Sequence, residues 1–385
     1  MDLSEVLLVA LNNRASDIHF KVGQPPLLRI DGELVPLKDY SALDSNEIAK
    51  TAYQIMSERQ RERFLRDMEI DMGYGISGLG RFRVNIFQQR GTIAIALRVI
   101  PFGIKGFEEL NLPVEVMERI AKEVRGLVLL TGTTGSGKST TLAAMIDYIN
   151  STRRSHIITI EDPIEFLHRD QRGIISQREI GTDTDNFAQA LKMALRQDPD
   201  VILVGEMRDF ETIETAILAA ETGHLVLSTL HTLDAAETVN RIVAVYPPYQ
   251  QKQIRLQLAG ILKGVVSQRL LPRADGMGRV PAVEIMISTA RIRDCIVDKD
   301  KTQDIHDAIA QGHATYHMQT FDQSLMELLT RELITYDEAL LHSSNPEDFA
   351  LRVKGILATS DMTWDEFEQK EHATEAEEKL EVEKY

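Results

Sequence analysis

The residues Gly132-Thr133-Thr134-Gly135-Ser136-Gly137-Lys138-Ser139-Thr140 contain a full G-x-x-x-x-G-K-[ST] pattern. Glycines at these positions let backbone N–H groups turn inward around phosphate oxygens, and the N-terminus of the helix that follows adds the favourable end of its dipole. Lys138 could reach the β- and γ-phosphates of a nucleotide, and the Ser139 hydroxyl could ligate Mg²⁺. The context fits, with an apolar stretch at 126–130 before the loop and a helical stretch at 140–150 after it.

Three further segments deliver polar groups at the ends of apolar runs. Residues 157–160 lead into Glu161 and Asp162, which could hold Mg²⁺ through water, orient an attacking water, or simply cap the strand. Residues 201–204 lead through Gly205 to Glu206, about 70 residues beyond the phosphate loop. A Walker-B strand is expected beside the phosphate-loop strand, so Glu206 is a candidate for polarising water or supporting the metal. His224 and His231 bracket a third run, and His231 falls on the same edge as the loop. It could sense the γ-phosphate, although a lone histidine at a strand end is more often a structural hydrogen-bonder. Lastly, Arg81, Arg83, Arg90 and Arg98 lie on an expected hairpin, with Arg81 and Arg83 on one face by alternation. Arginines there could stabilise charge on a transferring phosphoryl group or could line a solvated strand face.

The elements that position these residues follow from pattern. Residues 2–12 read as an amphipathic helix, 17–22, 27–30 and 34–37 as short strands, 45–67 as helical, and 80–100 as a hairpin. From 126 onward apolar strands at 126–131, 156–160, 201–204 and 225–229 alternate with helices, the grammar of a parallel sheet. Residues 250–341 read as mostly helical, interrupted at 279–287. The fold class is therefore α/β: a P-loop nucleotide domain with a parallel sheet, preceded by a smaller α+β domain. The expected division is 1–104, a linker at 105–112, the nucleotide domain at 113–345 with a helical C-terminal part, and a mobile acidic tail at 346–385.

Composition bounds the function. The 385 residues carry a formal net charge of −16, which argues against a dedicated nucleic-acid binder. Residues 361–385 hold ten acidic and three basic side chains. One cysteine, Cys295, excludes an internal disulfide framework and any zinc site built on CxxC pairs, and it fits a reducing compartment. The N-terminus is acidic where a signal peptide needs positive charge, and no apolar run approaches the ~18 residues of a membrane span, so a soluble cytoplasmic protein is expected.

Taken together, the segments resemble the secretion and pilus ATPase superfamily, the hexameric motors of type II and type IV secretion and of type IV pili. That family's Walker A, aspartate, atypical Walker B and histidine boxes read here as 132–139, 160–165, 201–209 and 222–231, in the family's order. Ser16-Asp17-Ile18-His19 and Gly80-Arg81-Phe82-Arg83-Val84-Asn85 look like its opening segments, so the resemblance covers residues 1 to about 345. Thr133 stands where these proteins often have proline, a harmless change for phosphate binding. Within the superfamily the chain looks most like the pilus retraction motors. It is short, it lacks paired CxxC motifs, and Ala290-Arg291-Ile292-Arg293-Asp294-Cys295-Ile296-Val297 resembles part of their Ala-Ile-Arg-Asn-Leu-Ile-Arg-Glu segment. Asp294-Cys295 and the missing Arg-Glu ending depart from that segment and leave an accessory retraction motor as the alternative.

The resemblance implies a PAS-like first domain, a RecA-like second domain, and a homohexamer hydrolysing ATP with Mg²⁺. It further implies cytoplasmic action on an inner-membrane pilus platform protein, with a paralogous retraction ATPase as a further partner and no nucleic acid. The implied catalytic set is Glu206, Glu161, His231, Arg83, Arg98 and Arg81. Residues 132–140 would bind the nucleotide, and Ser139 would bind the metal, with Glu161, Asp162 and Glu206 acting through water. Two other classes stay open: a nucleic-acid translocase, which salt-dependent DNA binding would reveal, and a nucleotide-binding scaffold without turnover.

Overall fold

Helix α1 (Leu3–Asn12) buries Leu3, Val6, Leu7 and Ala10, the spacing of a single helical face. That face packs into an apolar core with one side of an antiparallel sheet. The computed structural model describes residues 2–76, 78–100 and 103–355. Its strands here are β1 (Asp17–Phe20), β2 (Leu27–Ile30), β3 (Glu33–Pro36), and, after helices α2 (Ser45–Ile55) and α3 (Glu58–Asp67), β4 (Glu69–Ile76), β5 (Gly80–Gln89) and β6 (Thr92–Ile100). Their order is β3-β2-β1-β6-β5-β4. Phe82, Val84 and Ile86 of β5 point into the core, so Arg81 and Arg83 take the opposite face. Arg83 pairs directly across from Arg98 of β6.

The stretch expected to be helical at 45–67 is two helices. Asp44 and Glu47 form a capping box for α2, and Ser57 and Gln60 form a second one that starts α3. Strand β4 was not expected, because Gly73 and Gly75 dilute its alternation.

The second sheet follows helix α4 (Val114–Ala121). Its elements are β7 (Gly126–Thr131), α5 (Lys138–Thr152), β8 (His156–Glu161), β9 (Ile174–Glu179), α6 (Phe187–Ala194), β10 (Val201–Val204), α7 (Phe210–Glu221), β11 (Leu225–Leu230), α8 (Ala235–Ala244), α9 (Pro248–Ile261), β12 (Leu262–Pro272) and β13 (Arg279–Ile287). The order is β13-β12-β7-β11-β10-β8-β9, and every pair from β12 to β9 is parallel. Strands β7, β10 and β11 are buried at every residue, as expected for a parallel sheet covered on both faces.

Two expectations change here. The Walker-B strand β10 does not adjoin β7, because β11 lies between them. Residues 262–272, read as helical, form β12, which follows α9 without a loop and pairs with β7 across a register shift. The linker region 105–112 is irregular, yet Phe107 and Leu112 are buried in the second core.

After β13 come α10 (Ala290–Val297), a 3-10 turn (Lys299–Asp304), α11 (Ile305–Gln311), α12 (His313–Tyr316), α13 (Phe321–Thr330), α14 (Tyr336–His342) and α15 (Pro346–Val353). The chain divides into two compact units, one of residues 1–269 with 283–319, the other of 270–282 with the described part of 320–385. The second unit has its own core, including Leu271, Val280, Phe321, Leu325 and Phe349. Residues 346–353, expected as mobile tail, are therefore helical, with Phe349 supplying the apolar anchor. The acidic stretch 361–385 lies outside the described residues. Among the described residues no helix is long and apolar enough to cross a membrane.

Candidate active site

Register places the functional groups along one edge. Thr131, the last residue of β7, pairs with Leu230 of β11, while Val204 of β10 pairs with both Ser228 and Ile160. The chain emerges from that edge as Gly132, His231, Gly205-Glu206 and Glu161, where parallel α/β sheets bind ligands.

The phosphate loop joins β7 to α5, and Gly137 caps the helix in the left-handed region at φ 93°. Gly132 adopts φ 136°, and a Cβ there would fall 2.3 Å from the Gln268 carbonyl oxygen and 2.7 Å from Ser136 Oγ. No side chain fits. The Lys138 ammonium donates to the Gly132 and Thr133 carbonyls at 2.8 and 2.9 Å. Burial pulls the Lys138 pKa down, and the charges of Glu165 and Glu206 oppose that. Ser136 Oγ is buried without a hydrogen-bond partner, and Ser139 and Thr140 are half-buried at the start of α5. Thr133, Thr134 and Gly135 are exposed. Behind the loop, Thr131 donates to Ser267 and Thr141 to Gln268, tying β7 and α5 to β12.

Glu161 ends β8. Its Oε1 accepts from Thr159 at 2.6 Å and Gln177 at 3.2 Å, and Oε2 accepts from the Glu165 amide at 3.4 Å. Burial pushes this carboxyl up despite those neutral donors. Asp162 is also pushed up, first by burial and then by Glu206, with Arg83 and Arg63 pulling the other way.

Glu206 follows a strand extension in which the Gly205 amide donates to the Ile160 carbonyl at 2.8 Å, and Thr229 Oγ1 donates to the Gly205 carbonyl at 2.7 Å. Its Oε1 lies 2.8 Å from Arg208 Nε and its Oε2 3.7 Å from His231 Nε2. His224 is at the other end of β11, its Nδ1 3.0 Å from the Ala219 carbonyl oxygen.

The arginines separate. Arg81 is paired with the buried Glu179. Arg98 Nε donates to Asp17 at 2.9 Å. Burial opposes ionisation of Asp17, but the hydrogen bonds from Ser16 and Arg98 prevail and hold its carboxyl below the usual range. Arg83 makes only a loose pair with Asp71 at 3.9 Å, and its charge reaches Asp162. Arg90 lies in the turn at the far end of the hairpin.

Sequence reasoning missed Glu165, whose charge bears on Lys138, and Glu179 and Gln268, which sit on the unrecognised strands β9 and β12. Glu165 was visible inside the aspartate box. The other two carried no motif signal.

The chain as a whole is similar to known proteins. The family described as "Type II/IV secretion system protein" matches residues 2–339. The type IV pilus retraction ATPase PilT of Pseudomonas aeruginosa is 44% identical over 349 residues, 91% of this chain and 100% of PilT. The type IV pilus ATPase PilU of the same organism is 39% identical, over 92% of each chain. A crystal structure of the pilus retraction motor PilT with bound ADP superposes with a TM-score of 0.83 at 48% identity, covering 90% of this chain and 98% of that one. The chain belongs to the type II/IV secretion system protein family.

Proposed function

We propose that this chain is an ATP-hydrolysing motor that powers retraction of type IV pili. The observation that carries the reading is the gathering of Gly132–Lys138, Glu161, Glu206 and His231 along one sheet edge, in a chain similar to PilT over nearly its whole length. In hydrolysis, water attacks the γ-phosphorus in line and ADP leaves with the bridging oxygen. Lys138 supplies positive charge to the β- and γ-phosphates, Glu206 orients the water, and His231 steadies Glu206 from 3.7 Å. Arg83, less committed than Arg81 or Arg98, stabilises developing charge, with Arg98 directly across from it on β6.

The residues fit a nucleotide with Mg²⁺. Ser136 Oγ is a buried orphan at the loop, Gly132 leaves a cradle that a Cβ would fill, and Lys138 contacts loop carbonyls that phosphate oxygens can replace. Among the described residues no group of three His, Cys, Asp or Glu is placed to hold a metal unaided, which suits an ion shared with phosphates. Ser139 would hold it, with Glu161, Asp162 and Glu206 through water. When bound, Mg²⁺ neutralises charge on the β- and γ-oxygens.

By the same reading the protein works as a homohexamer at the cytoplasmic face of the inner membrane. It acts on a pilus platform protein, and a PilU-like paralogue is a further partner. Imaging of pili in cells whose only retraction motor is this chain tests the proposal. Pili should shorten with the wild type and remain extended with Glu206→Gln. Pili that never shorten with the wild type while ATP turnover is normal contradict retraction as its task.

A further inference from the structure

We propose that the Glu179 carboxylate is the joint through which the first sheet sets the position of the 161–165 loop, so that Glu179 and Arg81 are positioning residues for hydrolysis. Glu179 ends β9, and its side chain is 2% exposed. One oxygen accepts from the Gly73 amide at 3.0 Å and from Thr182 Oγ1 at 3.2 Å. The other accepts from the Ile164 amide at 3.1 Å and from the Arg81 guanidinium. A carboxylate offers about four acceptor sites, so these donors fill it. Two of them come from β4 and β5 of the first sheet, and one comes from the loop bearing Glu161, Asp162 and Glu165.

The approach is close. A Cβ at Gly73 would lie 2.5 Å from both Glu179 Oε2 and Arg81 Nη2, so a side chain there would push the carboxylate and the guanidinium out of their present places. The Glu179 backbone is fixed as well, its amide donating to Asp183 Oδ2 at 2.8 Å and its carbonyl accepting from the Asp183 amide at 2.8 Å. The same strip receives helix α3: Arg59 pairs with Asp185, and Arg63 Nη1 lies 3.6 Å from where a Gly181 Cβ would be.

Displacement of the first sheet therefore pulls on a saturated, buried carboxylate that also holds the Ile164 amide. Ile164 adjoins Glu165, whose amide donates to Glu161 and whose charge bears on Lys138. A buried ionic hub transmits such a shift because losing one donor leaves charge uncompensated. Arg81 thus acts through Glu179 rather than on the nucleotide.

The inference rests on the ATPase reading and is tested on the full chain by comparing Glu179→Gln, Arg81→Met, their double variant, and Gly73→Ala. Each single variant should lower kcat about tenfold or more while KM for ATP stays within about threefold. The double should fall no more than about twofold below the worse single, because both act through one device. Hydrogen exchange at the Gly73 and Ile164 amides should quicken in Glu179→Gln. Gly73→Ala approaches the same joint without altering any charge, so it decides the matter if Glu179→Gln does not fold. Wild-type kcat in Gly73→Ala, unchanged exchange at both amides, or losses that multiply in the double overturn the proposal. Absence of turnover in the wild type would overturn the ATPase reading instead.

Discussion

Glu206 Oε2 and His231 Nε2 face each other across 3.7 Å, each at the end of a buried parallel strand, with Arg208 closing on the other Glu206 oxygen at 2.8 Å. The pairing exists because β10 and β11 are neighbours in register, Val204 opposite Ser228. Glu206→Gln keeps the shape and removes the charge that orients water. It should bind ATP with affinity close to wild type and slow turnover about a hundredfold or more, leaving nucleotide trapped. Single-turnover phosphate release measures this. Near-normal turnover in Glu206→Gln, with Glu161→Gln inactive, would make Glu161 the principal carboxylate.

Arg83→Ala should lower kcat about tenfold or more and change ATP affinity little, since charge stabilisation matters most in the transition state. Mixing Lys138→Ala subunits with Arg83→Ala subunits tests sharing across a subunit boundary. Recovered activity in the mixture is the expected outcome. No recovery at any ratio counts against a shared site.

Glu284 on β13 is buried, accepts from the Ala235 amide at 2.9 Å, and is pushed up to about 7 by burial and by Asp234, with His306 and Arg269 opposing. Its folded pKa exceeds the unfolded value, so the fold binds the proton more tightly. Stability from this group is complete below the unfolded value near 4.5 and is lost as pH rises through about 7. The loss amounts to about 3 kcal/mol. Glu284→Gln, whose amide oxygen can still accept from Ala235, should flatten the dependence of the urea midpoint between about pH 5 and about pH 8. An equally steep dependence in the variant contradicts this.

Helix α10 buries Ile292, Cys295 and Ile296, so its apolar stripe at i, i+3 and i+4 is core, and docking to a partner would fall to its arginines. Its arginines are exposed, Arg293 donating to the Ser288 carbonyl at 3.1 Å and Arg291 to Gln311. The double variant Arg291→Ala with Arg293→Ala should keep ATPase activity and ring assembly, because exposed arginines add little to stability. Pili should extend but not withdraw. Normal retraction with this variant as the sole motor rules out a docking role for the pair.

The legible parts of the sequence were those where local pattern and burial agree. β7, β10 and β11 are apolar at nearly every position because both sheet faces are covered, and the phosphate loop announces itself through glycines that its backbone geometry requires. The illegible parts depend on partners distant in sequence. β9 alternates weakly with Gln177, Arg178 and Glu179, and only the pairing with β8 makes it a strand. β12 was hidden because α9 runs into it with no intervening loop. The arginine face of β5 followed from alternation, but what each guanidinium meets did not: Glu179 lies 98 residues from Arg81.

The most direct test of the central claim is phosphate release from ATP by the purified chain with Mg²⁺, beside Lys138→Ala. Lys138 is the cation anchored over the loop, bonded to the Gly132 and Thr133 carbonyls. The variant should stay folded, because β7 and α5 on either side of the loop are held by their own apolar core residues, Leu127, Leu130, Leu142 and Ile149 among them. Steady release by the wild type and a loss of about a thousandfold in folded Lys138→Ala is the predicted result. Equal turnover by the two proteins would contradict the assignment of this edge as the site of ATP hydrolysis.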